Sequence, residues 1–312
     1  MQTAVFPFYS LWRTPFLFDT KIVEIIIICL ITATTFIVIL PGIRGKLRTF
    51  WLVRVLTSLY IGTVIIAVNF TRDWEVGSVT TTTVYKSFSN AMVNASIGLW
   101  VGLRGVNITL AGNPVHQLNE TINYNEWFSW ETRTHYDIDY REGLEMGLPS
   151  PVLYVAEKFN SNSPCSLHQQ YCISTYYSSA IMWAAFCFWI LSNVLFCMPF
   201  LVYGIYMLFA TAMCIMVSLT SFATVRQAPE CSIHFGSNVL RKRFGLSFWL
   251  SFATGLFCLI ISMILLLIHI MRPSILRLLF SLKDNEDLCN KIDKEEDSVS
   301  EDNKPDAVSQ ML

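Results

Sequence analysis

Long apolar segments alternate with polar ones along the whole sequence. A hydrocarbon core about 30 Å thick is crossed by roughly 20 helical residues, so each long apolar segment could span a membrane. Residues 178–225 would form a single helix about 72 Å long, which instead predicts two spans with Pro199 between them. The pattern predicts a five-transmembrane α-helical bundle with spans at residues 22–40, 50–70, 178–198, 200–225 and 246–270.

The longest polar segment, residues 71–177, predicts a folded domain outside the membrane. Three stretches rich in Thr, Val and aromatic residues favour short antiparallel strands. They are residues 76–88, 93–101 and 106–110. Residues 124–146 favour a helix, and Ser150 as N-cap with Pro151 at the first helical position predicts a second helix over 152–159. The domain is therefore predicted to be α+β.

Composition places the chain among membrane proteins, and its basic residues predict an orientation. Charged residues make up 14% of the chain, against about 25% in soluble domains, and no basic surface typical of nucleic-acid binding stands out. Lys and Arg cluster between the first two spans, which is typical of a cytosolic loop. Arg226, Arg241, Lys242 and Arg243 run against this rule, because they fall in a predicted outer loop. The predicted outer segments are 1–21, 71–177 and 226–245, and the cytosolic ones are 41–49 and an acidic, disordered tail at 271–312.

The predicted outer domain carries three glycosylation sequons. They are Asn94-Ala-Ser96, Asn107-Ile-Thr109 and Asn119-Glu-Thr121. In a segment assigned to the outside of the cell, each of these asparagines is a candidate acceptor. Asn69-Phe-Thr71 also fits the motif, but it lies at the end of the second span, where the membrane should obstruct the glycosylating enzyme.

Three cysteines fall in the predicted outer segments, and three thiols can form one internal disulfide. A Cys165–Cys231 bridge would join the large outer loop to the small one. Cys165–Cys172 is the local alternative. Both pairings remain open on the sequence pattern alone.

The sequence offers no pattern of catalytic residues. Histidines and cysteines lack metal-ligand spacing, and no Gly-rich phosphate loop is followed by Lys and Ser or Thr. Within the spans, Glu24, Arg54 and His269 lie near helix ends, where a polar side chain reaches the interface, and one histidine cannot supply paired haem ligands. We therefore predict a binding protein without cofactors, in contact with membrane lipid, and not an enzyme.

Small residues on the predicted spans allow close helix approach. They could serve packing within this bundle, or they could meet the helices of another membrane protein together with a stripe of aromatic residues. The small residues are Gly62, Gly204, Ala210, Ala212 and Gly255, and the aromatic ones are Trp183, Phe186 and Trp189.

Four segments in order resemble the dual oxidase maturation factors. They are FIVILPGIRGK at 36–46, GVNITL at 105–110, QLNETINYNE at 117–126 and GLPSPVLYVAEKF at 147–159, within a similarity that extends from about Phe6 to Phe280. The resemblance implies five spans with an outer N-terminus and a location in the endoplasmic reticulum and plasma membranes.

The same resemblance implies a function and several site residues. The family's members form a heterodimer with a dual oxidase, a membrane NADPH oxidase that needs this partner to leave the endoplasmic reticulum and release hydrogen peroxide at the cell surface. The family's disulfide would correspond to Cys165 and Cys231, and its acceptor asparagines to Asn107 and Asn119. Asn94 looks like a local addition.

The outer region of this family is also similar to claudins. Trp74 with Gly98-Leu99-Trp100 resembles the claudin signature, although the paired cysteines of that signature are missing. This similarity implies a claudin-like β-sheet in the outer domain. It also supplies an alternative function, that of an adhesion or barrier protein in the membrane.

Overall fold

A computed structural model describes residues 20–42, 47–130, 133–160, 167–198, 201–224 and 232–271. It contains five helices long and apolar enough to cross a membrane, as predicted. They are α1 (Thr20–Ile39), α2 (Leu47–Phe70), α5 (Leu167–Phe196), α6 (Leu201–Thr224) and α7 (Leu246–Met271), and a short 3-10 turn, Leu40–Gly42, follows α1. These helices make the chain a multi-pass membrane protein.

The polar segments build a six-stranded sheet in which every pair of neighbouring strands is antiparallel. The spatial order of the strands is β4-β3-β2-β1-β6-β5. Their bounds are β1 Glu75–Val84, β2 Met92–Val101, β3 Gly105–Gln117, β4 Glu120–Ser129, β5 Ile233–Phe235 and β6 Asn238–Phe244. Two further helices, α3 (Arg133–Glu145) and α4 (Ser150–Lys158), complete an α+β domain.

Alternation along the strands creates the core of this domain, because successive side chains point to opposite faces of a sheet. On β2, one face is fully buried: Val93, Ala95, Ile97, Leu99 and Val101. Helix α4 covers this face with Val152 and Val155, and the Tyr136 hydroxyl on α3 donates to the carbonyl of Ala156 on α4 at 2.7 Å.

Helix α5 begins well before the predicted third span because its first turns belong to the domain. Tyr171 exposes 1% of its surface and stacks on Trp130, with ring centroids 6.2 Å apart, and it also contacts Phe159. Polar residues of α5 are thus stabilised by packing against the domain rather than by lipid. A span prediction based on apolar length could not include them.

The predicted helix over 124–146 is wrong in its first part. Residues 124–129 lie in β4, where Tyr124 pairs with Leu110 and Phe128 with Val106 of β3. Aromatic residues fit the half-buried surface of a sheet, and this pairing outweighs any local helical preference. The helix begins only at Arg133.

The predicted cap of α4 is also wrong. The N-cap residue is Pro149, no side chain caps the helix, and Ser150 is already helical. The Ser150 hydroxyl instead shares a hydrogen bond of 2.9 Å with that of Ser87, in the loop that follows β1. The side chain therefore joins the helix to the sheet.

The segment between α6 and α7 was predicted as a plain loop, but its described part is a β-hairpin. Strand β6 pairs with β1, with Glu75 opposite Phe244 and Ser78 opposite Arg241. This hairpin therefore lies at the same end of the bundle as residues 71–130. Arg241, Lys242 and Arg243, which run against the charge rule, are held there by strand pairing, and Arg226 lies outside the described residues.

Small residues pack inside the bundle. A Cβ on Gly62 would lie 2.5 Å from the Trp189 ring, and one on Gly204 would lie 2.9 Å from the Phe196 ring. The hydroxyls of Ser178 on α5 and Ser218 on α6 each donate to the other residue's carbonyl at 3.0 Å. Internal packing therefore accounts for Gly62, Gly204 and Trp189, whereas Trp183 remains 40% exposed on the outer surface of the bundle.

Trp74 connects the bundle to the domain. It is fully buried in the same core cluster as residues of α2, α5, α6 and α7, and its ring contacts Phe222 and Phe248. Its indole Nε1 donates to the Val68 carbonyl at 2.9 Å. The sheet is thereby fixed on the ends of the helices.

Candidate partner-binding and modification sites

Asn119 and Asn94 lie at the end of the sheet remote from the membrane helices. Asn119 is exposed in the tight turn between β3 and β4, with a backbone φ of 59°. Asn94 is exposed on β2, where its backbone N–H and carbonyl bond to the Gln117 side chain at 3.1 and 2.8 Å. Both side chains are accessible to a modifying enzyme.

Asn107 lies on β3 near the membrane end of the sheet and is 8% exposed. Its cross-strand neighbours are Trp100 on β2 and Trp127 on β4. Among the described residues its Oδ1 has no hydrogen-bond partner. Asn107 is therefore the least accessible of the three candidate acceptors.

The Asn69 side chain is buried at the end of α2. Its Nδ2 donates to the Ile65 carbonyl at 2.9 Å, and its Oδ1 accepts a bond of 3.1 Å from the Ser179 hydroxyl. These contacts agree with the expectation that this sequon is not used.

Cys165 and Cys231, the two cysteines of the predicted disulfide, lie outside the described residues. Cys172 is the half-buried sixth residue of α5, where its Sγ lies 3.9 Å from the Trp130 carbonyl oxygen. The pairing of Cys165 with Cys231 remains a prediction.

A buried polar cluster joins three parts of the chain that are distant in sequence. The Tyr171 hydroxyl donates to Glu75 Oε2, and Lys242 Nζ donates to the Tyr171 hydroxyl at 3.1 Å. Glu75 is 3% exposed at the start of β1, Tyr171 belongs to α5, and Lys242 belongs to β6. The cluster holds the hairpin, the sheet and α5 together, and no local sequence signal indicated it.

A second polar cluster lies beside the turn that carries Asn119. Lys86 Nζ lies 2.8 Å from Glu120 Oε1, and the Tyr85 hydroxyl donates to Glu120 Oε2 at 3.0 Å and shares a bond with the Tyr124 hydroxyl. The hydrogen bonds that Lys86 and Tyr85 donate to Glu120 lower the pKa of its carboxyl below the ordinary value, although partial burial acts in the opposite direction. Burial, together with the Tyr124 hydroxyl, raises the pKa of Tyr85.

The lowered pKa predicts a pH-dependent stability. A carboxylate with a depressed folded-state pKa stabilises the fold fully above its unfolded pKa, about 4.3 for Glu, and this contribution is lost as pH falls through the folded value. The melting temperature of Glu120→Gln should therefore fall below that of the wild type at pH 7, and the gap should shrink below pH ~4. Thermal unfolding of the wild type and Glu120→Gln at pH 7 and below pH ~4 measures this gap in melting temperature, with Glu145→Gln on the exposed surface of α3 as control. A gap of the same size at both pH values would contradict the prediction.

A distal tip of apolar side chains stands at the far end of the sheet, between β1 and β2. We define it by Val84, Phe88 and Met92, which are 38%, 106% and 60% exposed. Phe88 was predicted to lie in a strand, but β1 ends at Val84. An exposed group of large apolar side chains is typical of an interaction surface.

In the part of the chain that the structure describes, no group of three His, Cys, Asp or Glu side chains could hold a metal ion. The expectation that the protein has no cofactor stays a prediction. The surfaces above are therefore candidates for binding and modification.

Five membrane helices carrying an antiparallel sheet domain with an exposed apolar tip define a multi-pass membrane protein suited to binding a partner. A model of the dual oxidase maturation factor family matches residues 8–284. The chain is 66% identical over 300 residues to dual oxidase maturation factor 1 of Xenopus tropicalis, covering 96% of this chain and 97% of that protein. The chain belongs to the dual oxidase maturation factor family.

Human relatives show the same relationship. Identity is 50% over 284 residues to human dual oxidase maturation factor 1, covering 90% of this chain and 82% of the relative. Identity to human dual oxidase maturation factor 2 is 47% over 286 residues, covering 91% of this chain and 89% of the relative. The names of these relatives indicate an accessory role for the family rather than a catalytic one.

Proposed function

We propose that this chain is the maturation partner of a dual oxidase and forms a heterodimer with it in the membrane. It covers surfaces of the oxidase that would otherwise keep the enzyme in the endoplasmic reticulum. The oxidase can then reach the plasma membrane and release hydrogen peroxide, while the redox chemistry stays with the oxidase. Family membership is the observation that carries this proposal.

The distal tip is the surface that we assign to the oxidase. Burying large apolar side chains supplies most of the energy at the centre of a protein interface, and aromatic residues are prominent among its hot spots. Phe88 is fully exposed in a domain whose large apolar strand residues are mostly packed. Its exposure favours a role in binding over one in folding.

In the orientation that we propose, residues 71–177 and 226–245 lie outside the cytosol. Pairing of β6 with β1 supports one common side for both segments, and the sequons support the outer side. A disulfide between Cys165 and Cys231, implied by the family resemblance, would join them covalently. The N-terminus would then lie outside and the C-terminus in the cytosol.

This orientation predicts the glycosylation pattern. Asn119→Gln and Asn94→Gln should each remove one glycan, because both asparagines are exposed. Asn107→Gln should remove one as well, although its burial predicts partial occupancy, and Asn69→Gln should change nothing. Gel mobility before and after endoglycosidase treatment measures each step; a chain with no glycan at any of these positions would contradict the orientation.

The function is tested by producing a dual oxidase with and without this chain in cells that lack both. Surface biotinylation should show the oxidase at the surface only when the chain is present, and peroxide outside the cells should rise in parallel. Unchanged surface arrival and unchanged peroxide would refute the proposal. Adhesion between cells that express this chain without an oxidase would favour the claudin-like alternative.

A further inference from the structure

A groove of about 400 Å³ opens in the membrane bundle at the end remote from the sheet. Its walls come from α2, α5, α6 and α7, and most of its lining is apolar, including Ile61, Leu208 and Leu265. Arg54 is the residue with a permanent charge among the described residues that line it. Nothing in the proposed function explains this groove.

The groove has the length of one membrane leaflet. On α2 its lining runs from Phe50 to Ile61, which is about 16 Å of helix. Half of a hydrocarbon core about 30 Å thick is about 15 Å. The groove therefore extends from one membrane surface to about the midplane.

The volume of the groove distinguishes between possible occupants. One turn of an α-helix with its side chains is about 10–12 Å across and 5.4 Å long, and so fills roughly 400–600 Å³. A groove of about 400 Å³ spread over three turns of α2 cannot enclose a helix, although a helix could pack across its opening. An extended hydrocarbon chain is much thinner and fits that shape.

The position of Arg54 suits the phosphate group of a lipid whose hydrocarbon chain lies in the groove. It is the eighth residue of α2, and its guanidinium is held against the Trp51 and Phe196 rings, 4.9 and 5.8 Å from their centroids. A long basic side chain at this depth can reach the membrane surface. Guanidinium groups bind phosphate through charge-assisted hydrogen bonds.

We propose that this groove holds one acyl chain of a phospholipid in the leaflet remote from the sheet, with the lipid phosphate on Arg54. The site recognises a phosphate group joined to a hydrocarbon chain. It goes beyond the proposed function, since it involves neither the oxidase nor the outer domain.

The full chain, purified in detergent and stripped of bound lipid, tests the proposal by native mass spectrometry with added dioleoylphosphatidylglycerol. One lipid should stay bound. Arg54→Gln should weaken retention about tenfold, the effect of losing a charge-assisted bond. Arg48→Gln, which removes the same charge from an exposed position outside the groove lining, should leave retention within about twofold.

A groove-filling variant supplies an independent test. Thr57 lines the groove, and among the described residues its hydroxyl bonds to the nearby backbone carbonyls of Val53 and Arg54. Thr57→Trp should therefore abolish retention, whereas Tyr60→Trp outside the lining should not. Dioleoylglycerol, which lacks the phosphate, should bind about tenfold more weakly than the phospholipid. If Thr57→Trp does not fold, lipid retention by Arg54→Gln and Arg48→Gln tests the proposal instead.

Several results would overturn the proposal. Equal retention by wild type, Arg54→Gln and Thr57→Trp would do so, and so would equal binding of dioleoylglycerol and dioleoylphosphatidylglycerol. Loss of the lipid when the chain is purified together with an oxidase would assign the groove to a helix of the partner. Because none of these measurements uses peroxide output, their failure leaves the proposed function untouched.

Discussion

Replacing Trp74 with alanine is expected to lower the free energy of unfolding by about 3–5 kcal/mol, the range for a large buried aromatic side chain. Trp74 is fully buried between the domain and the bundle, and its ring centroid lies 5.0 Å from that of Phe222 and 6.4 Å from that of Phe248. Its removal leaves a cavity and takes from the Val68 carbonyl one of its hydrogen bonds, while the Thr71 hydroxyl still donates to that carbonyl at 3.0 Å. Thermal unfolding of the detergent-purified chain measures the loss.

Two matched variants separate packing from hydrogen bonding. Trp74→Phe keeps most of the ring contacts and loses the indole donor, so it should cost about 1 kcal/mol beyond the small change in volume. Trp100→Ala removes an indole that is 39% exposed on the outer face of the sheet and should cost less than the buried Trp74. A loss as large for Trp100→Ala as for Trp74→Ala would show that the junction does not carry the stability assigned to it.

The number of spans could be predicted from the sequence because apolar length is a local property. The beginning of α5 could not, because residues such as Tyr171 are held in a helix by Trp130 and Phe159, which precede them in the domain. The same limit applies to β4. Its Trp, Tyr and Phe residues suit a strand or a helix, and pairing with β3 decides between them.

The β5–β6 hairpin shows a limit of another kind. Strand β5 has three residues and β6 has seven, and β1, to which β6 pairs, lies at the other end of the domain sequence. In a count of charges along the sequence, Arg241, Lys242 and Arg243 are only an exception to the rule that basic residues favour cytosolic loops. In the structure, the Lys242 ammonium donates to the Tyr171 hydroxyl, so the positive charge is part of a buried cluster.

Candidate sites also divide into those marked by a local sequence motif and those formed by residues distant in sequence. Sequons such as that of Asn119 are local motifs, and they were found. The cluster of Glu75, Tyr171 and Lys242 joins residues 96 and 71 positions apart, so no motif could have indicated it. For the distal tip a local signal existed, because Ser87, Ser89 and Asn90 around Phe88 are typical turn residues that argue against a strand through residue 88.

Replacing Phe88 with glutamate is expected to weaken binding of the dual oxidase by about 30-fold or more. This is the size of a hot-spot loss of about 2 kcal/mol, because a carboxylate replaces an aromatic ring that the partner would bury. Phe88 is fully exposed in the chain alone, so its replacement should leave the melting temperature unchanged. Co-precipitation of the oxidase with tagged variants, measured with surface biotinylation of the oxidase, tests both statements.

Leu118→Glu is the matched control. Leu118 is 52% exposed at the same end of the sheet, but it precedes Asn119, and a glycan on that asparagine would keep a partner away from it. Leu118→Glu should therefore bind the oxidase as the wild type does. Equal binding by the wild type, Phe88→Glu and Leu118→Glu would show that the distal tip is not part of the interface. Equal losses of binding for Phe88→Glu and Leu118→Glu would mean that the partner covers the whole remote end of the sheet and that Asn119 carries no glycan there.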